Sequence, residues 1–114
     1  MGLPQQHRLK HWQDFQRVYQ SGRRFRQAHL LLRCLPHNSP RVSRFGISVG
    51  RKVSNRATVR NRIKRQIRAI ILRYLPDLKL GFDIVIVVLP QGIECNYEHF
   101  LRELDQLFHQ AEII

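Results

Sequence analysis

The stretch RATVRNRIKRQIRAII, residues 56–71, joins a helical apolar repeat to dense positive charge, since it holds six Lys or Arg and no carboxylate. Its apolar side chains recur every three or four residues, which predicts an amphipathic helix from about Ala57 or Thr58 to Tyr74. The helix is expected to stop before Pro76, because a residue that precedes proline disfavours helical backbone. The members of the expected buried stripe are Val59, Ile63, Ile67, Ile70, Ile71 and Tyr74.

The other side of this helix is cationic. At about 100° per residue, one side away from the apolar stripe holds Arg60, Asn61, Lys64, Arg65 and Arg68. No acid stands three or four residues from any of them, so no intrahelical ion pair offsets their repulsion. Binding to phosphates would turn this charge into an advantage by releasing counterions, and arginine suits bidentate contacts to phosphate oxygens. A solvated charged face and a membrane-surface helix are the alternatives, and the second is disfavoured because the core needs the apolar stripe.

Charge is unevenly distributed along the 114-residue chain, whose net charge is +12. Residues 1–75 hold 18 Lys or Arg and one acid, Asp14, whereas residues 76–114 hold two bases and seven acids. This asymmetry indicates a polyanionic partner that faces the first two thirds of the molecule. The length and the 43% hydrophobic content predict one folded domain over residues 1–114, with residues 1–8 flexible.

The chain has no sequence feature of a membrane or secreted protein. Its longest apolar run, Ile84–Leu89, falls well short of the roughly 20 residues that span a bilayer. Cys34 and Cys95 are too few for a disulfide framework and are expected to be buried, reduced thiols in a cytoplasmic protein. His7 with His11, and Cys95 with His99, have spacings that allow a pair of metal ligands. Neither pair is a complete ligand set, so no protein-bound metal is predicted.

The remaining elements give the order α-β-β-α-β-α, which predicts an α+β fold. The expected elements are a helix at His11–Tyr19, strands at Arg26–Leu35, Arg44–Val49 and Phe82–Leu89, and a last helix that Asn96 caps. A turn is expected over residues 36–40, and the first two strands should pair as an antiparallel hairpin. Helices packed on one face of a small mixed sheet would leave the other face partly open.

Alternation in two strands predicts a smooth patch on that open face. Gly46 and Ser48 share one side of the second strand, and Leu31 and Arg33 share the corresponding side of the first. The opposite sides are bulky and suit the core; they carry Phe45, Ile47 and Val49, and Leu30, Leu32 and Cys34. A flat surface of small side chains with a cation beside it could receive a ligand.

The run Arg60-Asn61-Arg62-Ile63-Lys64-Arg65, with Arg68 one turn later, resembles the RNR motif of the protein subunit of bacterial ribonuclease P. The resemblance continues in the same order over nearly the whole chain. The other matching segments are Arg8-Leu9-Lys10, Asp14-Phe15-Gln16-Arg17-Val18-Tyr19 with Ser21-Gly22, Phe45-Gly46-Ile47-Ser48-Val49 with Arg51-Lys52, and Phe82-Asp83-Ile84-Val85-Ile86.

This resemblance implies an accessory subunit of a ribonucleoprotein endonuclease. In that family a large catalytic RNA holds the Mg²⁺ ions, and the complex removes the 5′ leader of precursor tRNA to give the mature tRNA 5′ end. The implied partners are therefore the catalytic RNA subunit and precursor tRNA. No catalytic residue is predicted in this chain, which shows no carboxylate pair, Ser-His-Asp arrangement or Gly-rich phosphate loop. The implied fold is a small α/β sandwich shared with some ribosomal-protein and elongation-factor domains.

The resemblance also implies two groups of site residues. Contacts to the RNA subunit fall on Arg60, Asn61, Arg62, Lys64, Arg65 and Arg68. Contacts to the leader fall in a cleft between the first helix and the open sheet face, at Phe15, Tyr19, Leu31, Arg33, Ser48 and Lys52. Aromatic side chains can stack on unpaired bases, at about 1–3 kcal/mol each. Arg33 stands where relatives often carry an aromatic, so stacking there would use the guanidinium plane or give way to a phosphate contact.

The alternative is a ribosome-associated or general RNA-binding protein that takes no part in cleavage. The same positive charge would serve it equally well. The oligomeric state and the leader preference stay open at this level.

Overall fold

Four strands and three α-helices form the part of the chain that this computed structural model describes, residues 2–37 and 41–114. In chain order they are α1 (Trp12–Ser21), β1 (Arg23–Arg26), β2 (Leu30–Pro36), β3 (Arg44–Ser48), α2 (Ala57–Tyr74), β4 (Phe82–Val88) and α3 (Tyr97–Gln110). Short 3-10 turns lie at Gln5–His7, Leu75–Asp77 and Pro90–Glu94. The predicted turn at 36–40 extends over residues 38–40, outside the described residues. None of the described helices is long and apolar enough to cross a membrane.

The strands form one mixed sheet in the order β1-β2-β4-β3, which confirms the α+β class. β2 pairs antiparallel with β1 and β4, while β3 pairs parallel with β4. The predicted hairpin between the second and third of these strands is therefore wrong, because β4 lies between them. β4 is apolar along almost its whole length and is buried on both faces, so the sheet centre is the position that satisfies it.

The predicted strand Arg26–Leu35 corresponds to β2, and the strand before it, β1, was not predicted. The chain turns after β1, and the Gln27 N–H donates to the Leu30 carbonyl at 2.9 Å before β2 begins. β1 carries three exposed arginines, so it lacks the apolar alternation that marks a strand in sequence. Phe25 is its one half-buried member, and Arg23 lies over that ring with its guanidinium carbon 5.0 Å from the ring centroid.

The helices cover both faces of the sheet. α2 and α3 pack on the face that carries Leu30, Leu32 and Ile86. α1 packs on the opposite face, where Val18 contacts the cluster around Val85. The prediction of helices on one face therefore holds for α2 and α3 and is wrong for α1, because a central strand buried on both sides needs an apolar partner on each. The fully buried side chains of these two helices are Ile63, Ile67, Ile70 and Ile71 on α2, and Phe100, Leu104, Leu107 and Phe108 on α3.

The amino-terminal segment packs along the edge of β3. Leu3 is buried in the main core, and Arg8 forms a parallel bridge with Phe45. The Leu9 N–H donates to the Phe45 carbonyl at 2.9 Å, and His7 Nδ1 lies 2.9 Å from the Ser43 carbonyl. The edge of β3 offers these hydrogen-bond partners to residues 2–8, which belong to the stretch expected to be flexible.

Candidate nucleic-acid interface

The orientation of α2 is fixed by its four buried isoleucines, which turn its charged side outward. At its start, the Arg60 guanidinium donates from Nη1 to the Ser54 carbonyl at 2.9 Å, so this cation is held against the preceding turn. Of the six predicted RNA-subunit residues, Asn61, Arg62 and Arg65 are exposed, whereas Arg60, Lys64 and Arg68 are half-buried.

Arg62 lies at the edge of this set, next to Arg65 and far from Lys64 around the helix axis. Two residues along an α-helix correspond to a separation of roughly 160° around its axis, so Arg62 and Lys64 point in nearly opposite directions. The six predicted residues therefore form a broad arc around α2. We call the side with Arg60, Asn61, Lys64, Arg65 and Arg68 the cationic face.

A cavity of about 190 Å³ separates α2 from α1 and opens across the edge strand β3. Lys64 and Arg68 line it from α2, and Arg8 and Lys10 line it from the amino-terminal segment. Phe15 of α1 and residues 45–47 of β3 complete its wall, with Leu3 and Leu9. This junction cavity brings four cations together and connects the cationic face of α2 with the face of the sheet that α1 crosses.

That sheet face carries two rows of side chains, set by the strand register. One row is Leu31, Val87 and Ser48, and the other is Arg33, Val85 and Gly46. We call the surface made by these two rows the sheet groove. The structure thus brings Leu31, Arg33 and Ser48 into one surface, as the alternation predicted.

α1 crosses the second row, and a glycine makes this close approach possible. A Cβ atom added at Gly46 would lie 2.4 Å from two carbons of the Phe15 ring. Phe15 is half-buried in this position, and it borders both the sheet groove and the junction cavity. The smooth floor predicted from sequence is therefore partly occupied by the aromatic ring of α1.

Tyr19, one turn after Phe15, lies beside Arg33. The Arg33 guanidinium carbon is 5.4 Å from the centroid of the Tyr19 ring, and Nη1 donates to the Tyr19 carbonyl at 3.1 Å. Arg33 Nε is buried and has no hydrogen-bond partner among the described residues. The pair therefore places an aromatic ring and a cation next to one another.

The far end of the groove is lined by Ser48, Lys52 and Val87, which border a cavity of about 320 Å³. Lys52 is exposed, while Ser48 and Val87 are half-buried. Sequence reasoning missed Val87 as a groove residue. Alternation along β4 could have found it, because Asp83, Val85 and Val87 must share one face.

A buried ion pair fixes α1 over the sheet. Arg44 donates to both carboxylate oxygens of Asp83, at 2.9 and 2.7 Å, and its Nη1 lies 3.5 Å from Asp14 of α1. The hydrogen bond to Asp83 raises the pKa of Arg44, with the nearby charges of Asp83 and Asp14 adding to it. Arg17 also pairs with Asp14, at 3.3 Å. Both carboxylates are thus engaged by arginine, which makes them poor candidates to hold a Mg²⁺ ion.

The fold and these surfaces place the chain among small α+β RNA-binding proteins. The sequence model of the family Ribonuclease P matches residues 3–112. The ribonuclease P protein component of Synechocystis sp. is 65% identical over 114 residues, covering 100% of this chain and 92% of that protein. That of Microcystis aeruginosa is 56% identical over 117 residues, with 100% and 98% covered.

Solved structures agree with this assignment. The ribonuclease P protein of Staphylococcus aureus superposes with a TM-score of 0.87 at 25% identity, covering 94% of this chain and 96% of that one. The protein from Thermotoga maritima gives 0.81 at 26% identity, with 90% and 96% covered. The chain belongs to the ribonuclease P protein family.

Proposed function

We propose that this chain binds the catalytic RNA subunit of ribonuclease P through α2 and the 5′ leader of precursor tRNA in the sheet groove. Its role is to hold the two RNAs together during Mg²⁺-dependent removal of the leader. The observation that carries the proposal is the junction cavity, where Lys64 and Arg68 of α2 meet Phe15 of α1. This cavity connects the groove with the cationic face, and four cations line the path that an RNA strand would take between them.

The two surfaces suit different parts of an RNA. The cationic face offers guanidinium and ammonium groups on a straight helix, which match the phosphates of a structured RNA. The groove offers a ring at Tyr19, the guanidinium of Arg33 and an apolar floor at Leu31 and Val87. Such a surface fits an unpaired strand whose bases can stack without demanding a particular sequence.

The cleavage chemistry belongs to the RNA partner under this proposal. The Mg²⁺ ions, held by the RNA subunit and the substrate, would activate the attacking water and stabilise the leaving oxygen. Asp14 and Asp83, the carboxylates beside the groove, are committed to Arg17 and Arg44. This chain contributes binding and orientation, and its cations lower the repulsion between the two RNAs.

Reconstitution tests the proposal. The chain is mixed with a bacterial ribonuclease P RNA and a leader-bearing precursor tRNA at low Mg²⁺, and the release of the leader is followed. We expect clear stimulation over RNA alone, and the exposed Arg102→Ala variant on α3 should match the unchanged chain. Equal rates with and without protein would reject the proposal and favour the alternative, a general RNA-binding protein.

A second experiment separates the two surfaces. Arg62→Gln with Arg65→Gln removes two exposed cations from α2, and we expect weaker RNA-subunit binding. The slope of log affinity against log salt should fall by roughly 0.7–0.9 for each phosphate that the variant no longer binds. Tyr19→Leu should instead weaken binding of precursor tRNA more than binding of mature tRNA. If Tyr19→Leu weakens both tRNAs equally, the leader does not lie in the groove.

A further inference from the structure

A cluster of three potential metal ligands lies where α3 packs beside the turn between β1 and β2. A nitrogen of His29, Sγ of Cys95 and a carboxylate oxygen of Glu103 lie within 4.8 Å of one another. The three residues come from the turn between β1 and β2, the segment after the Pro90–Glu94 turn, and the middle of α3. We propose that these three side chains form a binding site for a Zn²⁺-like divalent cation.

Backbone hydrogen bonds hold the turn with His29 and the segment with Cys95 together without a metal. The Leu89 N–H donates to the His29 carbonyl at 2.9 Å, and the Cys95 N–H donates to the Gly92 carbonyl at 3.1 Å. Gly92 is buried against the turn that carries His29, since a Cβ added to Gly92 would lie 3.6 Å from the His29 carbonyl oxygen. The segment that carries Cys95 is therefore anchored on the residue that carries the imidazole, so little ordering would be needed on binding.

Glu103 is already aimed at His29. Its Oε2 lies 2.6 Å from His29 Nδ1, and its Oε1 accepts the His29 backbone N–H at 2.8 Å. Glu103 is 9% exposed and Cys95 is 7% exposed, whereas the His29 side chain is 30% exposed and gives access from solvent.

The donor set matches the chemistry of zinc. Imidazole, thiolate and carboxylate are the three protein ligands that Zn²⁺ takes, and three of them leave a fourth tetrahedral position for water. The surroundings are also favourable for a cation, because residues 76–114 hold seven acids and two bases. Binding forms a metal–sulfur bond and breaks the S–H bond of Cys95, whose proton passes to the buffer.

Sequence spacing pointed to a different pair. Cys95 and His99 are four residues apart, but the structure uses His99 in the cap of α3. Its Nδ1 accepts the Asn96 backbone N–H at 3.2 Å, and its own backbone N–H donates to Asn96 Oδ1 at 3.0 Å. The partners of Cys95 are instead 66 positions earlier and eight positions later, at His29 and Glu103.

Cobalt provides the direct test on the tag-free full chain after treatment with a chelator. One equivalent of Co²⁺ should give tetrahedral visible bands and a sulfur-to-cobalt charge-transfer band, and Zn²⁺ should abolish both. Cys95→Ser should remove the charge-transfer band, and Glu103→Gln should weaken Co²⁺ binding roughly tenfold or more. The matched control is Cys34→Ala, which removes the other buried thiol and should leave the spectrum unchanged.

A measurement on the unchanged chain covers the case in which a variant fails to fold. Zn²⁺ should slow alkylation of Cys95, mapped by peptide mass, more than alkylation of Cys34, which reacts only as fast as the chain unfolds. The proposal is overturned if no charge-transfer band forms, if the band survives in Cys95→Ser, or if Zn²⁺ gives Cys95 no protection. Each of these results would leave a hydrogen-bonded pair of His29 and Glu103 beside an inert thiol.

Discussion

The contact between Gly46 and Phe15 predicts, for a mutant cycle, that Gly46→Ala destabilises the unchanged chain but stabilises the Phe15→Ala variant. Gly46→Ala adds a methyl group whose carbon would lie 2.4 Å from the Phe15 ring, and such overpacking costs about 1–3 kcal/mol of unfolding free energy. Once Phe15→Ala has removed the ring, the same change should stabilise the strand by about 0.5–1 kcal/mol, because alanine loses less backbone entropy than glycine. The coupling between the two positions should therefore be at least about 1.5 kcal/mol.

Urea unfolding of the four proteins in this cycle measures the coupling. Gly50→Ala is the matched control, because no atom of the described residues lies within 4 Å of a Cβ added at Gly50, and it should change stability by less than about 0.5 kcal/mol. Gly46→Ala should also reduce the preference for precursor tRNA over mature tRNA, since the displaced ring borders the groove. Equal costs for Gly46→Ala with and without Phe15 would show that α1 does not rest on this glycine.

Three further predictions concern buried polar groups. Arg44→Leu leaves Asp83 buried without its partner and should cost roughly 3–5 kcal/mol in urea unfolding, most of which the added change Asp83→Leu should restore. Burial, followed by the hydrogen bond to Asp105, raises the pKa of Tyr74 from 10.0 to about 12. Between pH 10.0 and about 12, the native chain keeps the Tyr74 proton that the unfolded chain loses. The unfolding free energy should therefore fall as pH rises through this range, and it should fall less in Tyr74→Phe. Burial also raises the pKa of Cys34 to about 12, so its alkylation by iodoacetamide at neutral pH should occur only as fast as the chain unfolds.

The sequence predicts those elements whose hydrophobic period is strong. The helix expected from about Ala57 or Thr58 to Tyr74 is α2, which runs over Ala57–Tyr74 with its isoleucines fully buried. Asn96, the expected cap of the last helix, accepts the His99 backbone N–H with its side chain. These features are local, since a stripe or a cap is set by residues within a few positions of each other.

The predictions that failed concern contacts between segments that are far apart in the sequence. The continuous apolar run of β4 indicates burial on both faces, but it does not by itself specify which strands lie beside it. β1 was missed because three of its four residues are exposed arginines, and its pairing with β2 supplies the stability that its own side chains do not. The grouping of His29, Cys95 and Glu103 likewise depends on how α3 packs on the first hairpin, which no short-range spacing shows.

Both local and long-range information bear on the predicted leader-site residues. Alternation placed Leu31, Arg33 and Ser48 on one surface, and the register across β4 brings them into two adjacent rows. The contact of Arg33 with Tyr19 depends on α1 crossing the opposite face from α2 and α3. Alternation gives the side of a strand, but the position of a covering helix is set by tertiary packing.

The central place of β4 has a consequence during translation. β2 and β3 both pair with β4 and not with each other, so a nascent chain that ends before Phe82 can close only the first hairpin of the sheet. By then α2 has already been synthesised, with its isoleucines and its cations but without the sheet centre on which it packs. Ribosomes that pause within this interval would therefore hold an intermediate with exposed isoleucines and a high positive charge, and synthesis of β4 would allow that apolar surface to be buried.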